Sequence, residues 1–128
     1  MAVGKPHEIA PETAVHRVGG GGISNLRLSA VDRTEMPPGI SVLLGGTAQE
    51  AAQQMREAFP KSRKWRASAH TVGTTTATAV RGADFEVVPD PTSRFPNHAR
   101  LIHSSGVVGF SDENLERLAL VFQDTTGC

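Results

Sequence analysis

The chain has no tyrosine, one tryptophan and one cysteine among its 128 residues, and no excess of either charge. The cysteine, Cys128, stands last, so no internal disulfide can form, which fits a reducing compartment. No apolar run approaches the roughly 18–20 residues that span a bilayer, and the N-terminus lacks an apolar leader core. A cytoplasmic location without a membrane partner is therefore expected. Thirteen basic residues balance thirteen acidic ones, so no global field draws the protein to nucleic acid, and any anion site must be local.

Signature motifs are missing too. The four glycines Gly19–Gly22 invite a phosphate-loop reading, but Ile23-Ser24-Asn25 follows where Gly-Lys-Ser/Thr would have to open a helix. The dinucleotide fingerprint would need its third glycine at Ser24. No Gly-x-Ser-x-Gly elbow is present, and no cysteine pair joins His98 and His103 in a zinc pattern. Neither a cofactor nor a metal is expected, and the glycine run reads as a plain loop.

What is present is an alternation of short strand and helix signals. Strands are read at 14–18, weakly at 26–30, at 40–44, 67–72 and 85–88, and around 98–103. Ile40 to Leu44 is apolar but for Ser41 and reads as a strand buried on both faces. Thr47 and Glu50 form a capping box for a helix over 47–59, whose apolar positions are Ala48, Ala51, Ala52, Met55 and Phe59. Ser111 caps a second helix over 111–123, with Asp112 and Glu113 where the helix dipole favours acids. A short third helix near 75–81 would end at Gly82. The expected fold is α+β: a small mixed sheet of four to six short strands, covered mainly on one face by two helices. Residues 1–13 read as a flexible arm, 14–124 as one globular domain and 125–128 as a frayed tail. Val42, Met55, Val87 and Leu118 are expected to meet in one core.

Two clusters carry candidate chemistry. On a strand, His98 and Arg100 share a face, with His103 at its end and His70 and His16 on other strands. Imidazole shuttles protons and guanidinium grips phosphate, the parts of a metal-independent phosphodiester site. Separately, Lys61, Arg63, Lys64 and Arg66 surround Trp65 in a basic connection, a combination that holds a nucleic-acid backbone while the ring stacks on a base. The plainer readings are a polar strand face and a core tryptophan. Ser41, behind the rigid turn Pro37-Pro38-Gly39, would border any pocket there.

Two functional readings follow. The first is a small interaction or regulatory domain without catalysis, such as an accessory or immunity-type bacterial protein bound to a partner protein. The second is a toxin-like ribonuclease using His98, Arg100, His103 and His70, with nucleic acid gripped by the 61–66 segment. The lack of any motif favours the first.

Overall fold

The computed structural model describes residues 9–128, apart from the side chains of residues 66–68. Its strands are β1 (Ala14–Val18), β2 (Gly39–Leu44), β3 (Thr71–Thr76), β4 (Phe85–Pro89), β5 (His98–His103) and β6 (Gln123–Thr126). Its helices are α1 (Ile23–Leu26), α2 (Ala48–Ala58), α3 (Arg63–Ser68), α4 (Ala77–Gly82) and α5 (Asp112–Ala119), with 3-10 turns at Asp32–Thr34 and Gly106–Gly109. The strands form one six-stranded sheet in the order β4-β5-β2-β1-β3-β6, and every pairing is antiparallel. This is the small α+β fold that the sequence implies, but the sheet is antiparallel rather than mixed, and the second helix stops at Ala119 instead of reaching 123 because Gln123 pairs with Thr74.

The sheet is covered on both faces rather than one. Because side chains alternate along a strand, β2 sends Ile40 and Val42 to one face and Leu43 to the other. The first face packs Val15, Val42, Val87 and Leu101 against Val80 of α4 and Leu115 and Leu118 of α5. The second face packs Val18, Leu43 and Val72 against Ala48, Ala51 and Ala52 of α2. Met55 belongs to this second core, so it does not join Val42, Val87 and Leu118. Alanines on α2 permit the close approach, and the Thr47–Glu50 box, complete on both sides, adds roughly 1 kcal/mol.

Several local expectations are corrected. The 26–30 segment is not a strand: Ile23–Leu26 is helical, and Leu26 and Leu28 are buried in the first core. The basic connection is helix α3, capped by the Ser62 hydroxyl accepting from Trp65 N at 3.3 Å. The third strand lies later than 67–72, because Val72–Thr76 are the residues that register with β1. Thr76 then caps α4 at once. The tail is not frayed: β6 extends the sheet beside β3, and Cys128 N donates to His70 O at 3.0 Å. Residues 1–8 of the expected arm lie outside the described residues. Its remainder is docked: Ile9 is buried, Pro11 O accepts from Thr78 N at 2.9 Å, and Thr13 O accepts from Ala77 N at 3.1 Å.

The glycine run has a packing role. Gly19 and Gly20 take positive φ, and Gly21 then crosses directly over Gly73 of β3. The Gly21 N–H is held by Asp124 of β6 at 2.8 Å. A Cβ on Gly73 would lie 2.4 Å from Gly21 N, and one on Gly21 would lie 2.3 Å from Phe122 Cβ. The run is thus seated on the sheet, and the Gly21 N–H is already occupied by protein.

The sheet's outer edge at β4 is also occupied. The Glu86 carboxylate accepts from Val87 N at 2.9 Å and from Arg81 Nε at 2.8 Å. Two glycine substitutions of opposite sign test this account. Gly73→Ala should lower unfolding stability by about 1–3 kcal/mol, the usual cost of forced overpacking. Gly82→Ala, with nothing within 4 Å of the new methyl, should raise it by about 0.4–1 kcal/mol. Urea unfolding of both variants measures this, and equal effects would contradict it.

Candidate ligand-binding cleft

Strands β1 and β2 pair only at Val15–Leu44 and His16–Leu43. Beyond that point they diverge, while β2 continues to pair with β5 through Gly39. Divergence frees backbone carbonyls that need partners. Arg17 supplies them from within the gap: Nη1 donates to Ser41 O at 2.8 Å and Nε to Asn25 O at 2.9 Å. Asn25 Nδ2 in turn donates to Val18 O at 3.2 Å and Gly20 O at 2.6 Å.

The opening so created is a cleft of about 460 Å³. Its strand floor includes His16, Arg17, Ser41 and His98. The α2 and α3 side supplies Met55, Phe59 and Trp65, and the loop before β5 supplies Phe95. Ser29 and Asp32 come from the segment after α1. Lys64 Nζ sits 4.7 Å from the centre of the Trp65 ring, and the Arg94 guanidinium 5.1 Å from that of Phe59. Each such contact contributes about 0.5–1 kcal/mol at an exposed site.

Burial pulls the Arg17 pKa below its ordinary value, and the nearby negative charge of Asp32 partly offsets this. Among the described residues no carboxylate lies within 4 Å of the Arg17 guanidinium. Its Nη2 has no hydrogen-bond partner there and is not sealed from solvent. The cleft therefore contains a held guanidinium with donor capacity to spare.

The two cleft histidines differ in what their neighbours leave free. His16 is 1 % exposed. Its Nε2 lies 3.1 Å from both Gly45 O and Gly46 O, which can only accept, so Nε2 carries the proton. In the neutral ring Nδ1 then accepts from the Thr74 hydroxyl at 2.9 Å, and no ring nitrogen remains. His98 is the reverse case. Its Nδ1 donates to Asp90 O at 2.8 Å, with Asp90 Oδ2 at 3.3 Å. The neutral His98 ring has its Nε2 lone pair unused in the cleft lining.

The residues singled out by sequence are only partly brought together. His98 and Arg100 do share the second face of the sheet. Arg100 does not line the cleft, however. Its Nη1 donates to Pro37 O and its Nε lies 3.4 Å from Asp90 Oδ2 without hydrogen-bond geometry. It ties the 37 and 90 segments to β5. His103 is on the opposite face, edge-on to Phe85 at 5.1 Å, accepting from Ser105 N at 3.0 Å. His70 is exposed at the turn before β3, outside the cleft lining. Lys64 and Trp65 line the cleft, while Lys61 and Arg63 are exposed beside them in the chain. Arg66 lies in α3, and its side chain is outside the described set. Ser41 does border the pocket.

Sequence reasoning missed Arg17. The signal was available: Arg17 falls two residues from Val15 on the face of β1 that points to the first core, where a charge needs a reason. Asn25, Phe59 and Phe95 gave no such signal, since only the fold brings them to one place. Among the described residues no group of three or more His, Cys, Asp or Glu side chains could hold a metal, and no helix is long and apolar enough to cross a membrane. Comparison with known protein families, curated sequences and solved structures finds no match to the chain.

The two histidines should separate in mutagenesis. His16→Phe leaves Thr74 and two carbonyls without a partner and should cost about 2–4 kcal/mol in urea unfolding, one to two lost buried bonds. His98→Phe should cost under about 1 kcal/mol, because its only backbone bond is half-exposed. Similar losses in both would contradict the assignment of His16 as structural and His98 as available.

Proposed function

We propose that this protein is a regulatory or binding domain without catalysis, and that its cleft takes a small molecule combining a flat apolar ring with an anionic group. The observation that carries the reading is Arg17: a half-buried guanidinium, fixed by two backbone carbonyls, with an unpartnered Nη2 and no carboxylate within 4 Å among the described residues. A partly desolvated guanidinium with a free N–H favours an anion as its further partner. Trp65, Phe59 and Phe95 offer ring faces and edges on the same cleft. The lining mixes these rings with polar and charged side chains that can fix a ligand's orientation, and about 460 Å³ falls within the usual size of a small-molecule site.

This keeps the non-catalytic class favoured by the sequence and makes the partner a small molecule rather than a protein. The ribonuclease reading draws less support. General acid–base cleavage of a phosphodiester needs two proton-transfer groups at one phosphate. Of the histidines considered, His98 alone has a free ring nitrogen at the cleft, since His16 is fully bonded and His103 and His70 lie elsewhere.

Trp65, the chain's one tryptophan, is a built-in reporter. Titration with benzoate and adenosine monophosphate should give saturable quenching of its emission for at least one of them, with a raised Tm. Arg17→Met should weaken that binding at least about 10-fold, the loss expected for a charge-assisted bond. No quenching or Tm change at millimolar concentrations of any aromatic anion overturns the reading.

A further inference from the structure

Resting on that cleft reading, we infer that the ligand is a nucleotide, with its phosphate at Arg17 and Lys64, its base against Trp65, and a base or ribose donor on His98 Nε2. Three observations narrow the class. The first is charge. The chain is neutral overall, yet among the described residues four cations at or beside the cleft lack an acidic partner, and Asp32 is the one carboxylate in the cleft lining. Lys61, Arg63, Lys64 and Arg94 are exposed, and none takes part in any ion pair among the described residues. A field of this kind, added to Arg17, suits a phosphate monoester, which carries more charge than a carboxylate and matches a guanidinium fork.

The second is the ring surface. Lys64 sits over Trp65, so one side chain of the pair meets phosphate while the other meets a base. Stacking on an indole is worth more for a broad nucleobase than for a single small ring. The third is His98. Asp90 fixes its orientation from the Nδ1 side, so the neutral ring offers an acceptor, not a donor, to the cleft. An aromatic carboxylate such as benzoate carries no N–H or O–H to meet it. A nucleotide carries several, on the base and on the ribose. The volume, about 460 Å³, holds one nucleotide unit.

One nucleotide unit has two sources, a free mononucleotide or the 5′-phosphorylated end of a single strand. The test is Trp65 quenching on the full chain by four probe groups: the four nucleoside monophosphates, ribose 5-phosphate, benzoate, and a hexanucleotide with and without a 5′-phosphate. At least one nucleoside monophosphate should bind over about 10-fold tighter than ribose 5-phosphate or benzoate, the loss expected when stacking or a phosphate contact is missing. His98→Phe should weaken that nucleotide roughly 5- to 20-fold, as for one hydrogen bond, and leave benzoate, which has no donor, unchanged. A phosphorylated hexanucleotide that binds tighter than the monophosphate identifies the strand end as the source, and one that binds more weakly identifies the free nucleotide. Benzoate binding as tightly as every nucleotide refutes the nucleotide class while leaving the cleft reading intact. Equal weakening of both ligands by His98→Phe removes the role given to His98. Absence of quenching by every probe refutes both readings.

Discussion

The parting of β1 from β2 beyond His16–Leu43 is the constraint around which this molecule is arranged. Two neighbouring strands that separate in mid-sheet leave backbone groups facing each other across a gap too wide to bond. Arg17 and Asn25 answer that need with side chains long enough to reach, and in doing so place a guanidinium and a polar floor inside the opening. The same event that weakens the sheet creates the cleft. A fully paired β1–β2 ladder would have satisfied the carbonyls and left no room for a ligand.

The glycine run completes this arrangement. To leave β1 beside the gap, the chain must turn sharply and cross β3 at backbone contact distance. Only residues without a side chain can do so at Gly21 and Gly73. Four glycines in a row, which look like a phosphate loop when read alone, are explained by sterics once Gly73 and Phe122 are seen beneath them. The guanidinium that opens onto the cleft is Arg17, just before the run.

Much of the secondary structure was legible because local chemistry dictated it. The Thr47–Glu50 box, the Ser111 cap, the β-branched run of β2 and the alternation of β5 each act within a few residues, and each reads correctly from the chain. The errors fell where distant partners decide. Gln123–Thr126 is polar and becomes a strand because β3 offers it an edge. Leu26 and Leu28 alternate like a strand, yet no strand is there to pair with them. The site was less legible for the same reason. Trp65, Lys64, Ser41 and His98 were each noticed, but as members of separate clusters, and the fold recombines them around an arginine that no motif marks. His103 carried as much apparent promise as His98. Strand parity alone sends one to the cleft lining and the other against Phe85.

The occupied edge at β4 bears on how this protein meets its neighbours. A bare outer strand is a standing invitation to add a seventh strand, from another copy or from an extended peptide. Here the Glu86 carboxylate covers the Val87 N–H and is itself braced by Arg81. Any incoming chain would have to displace a charge-assisted pair before making its first backbone bond at that position. Growth by edge-to-edge stacking, the route by which small sheet proteins form fibrils, is thus opposed at this margin by a single acidic side chain folded back on its own backbone.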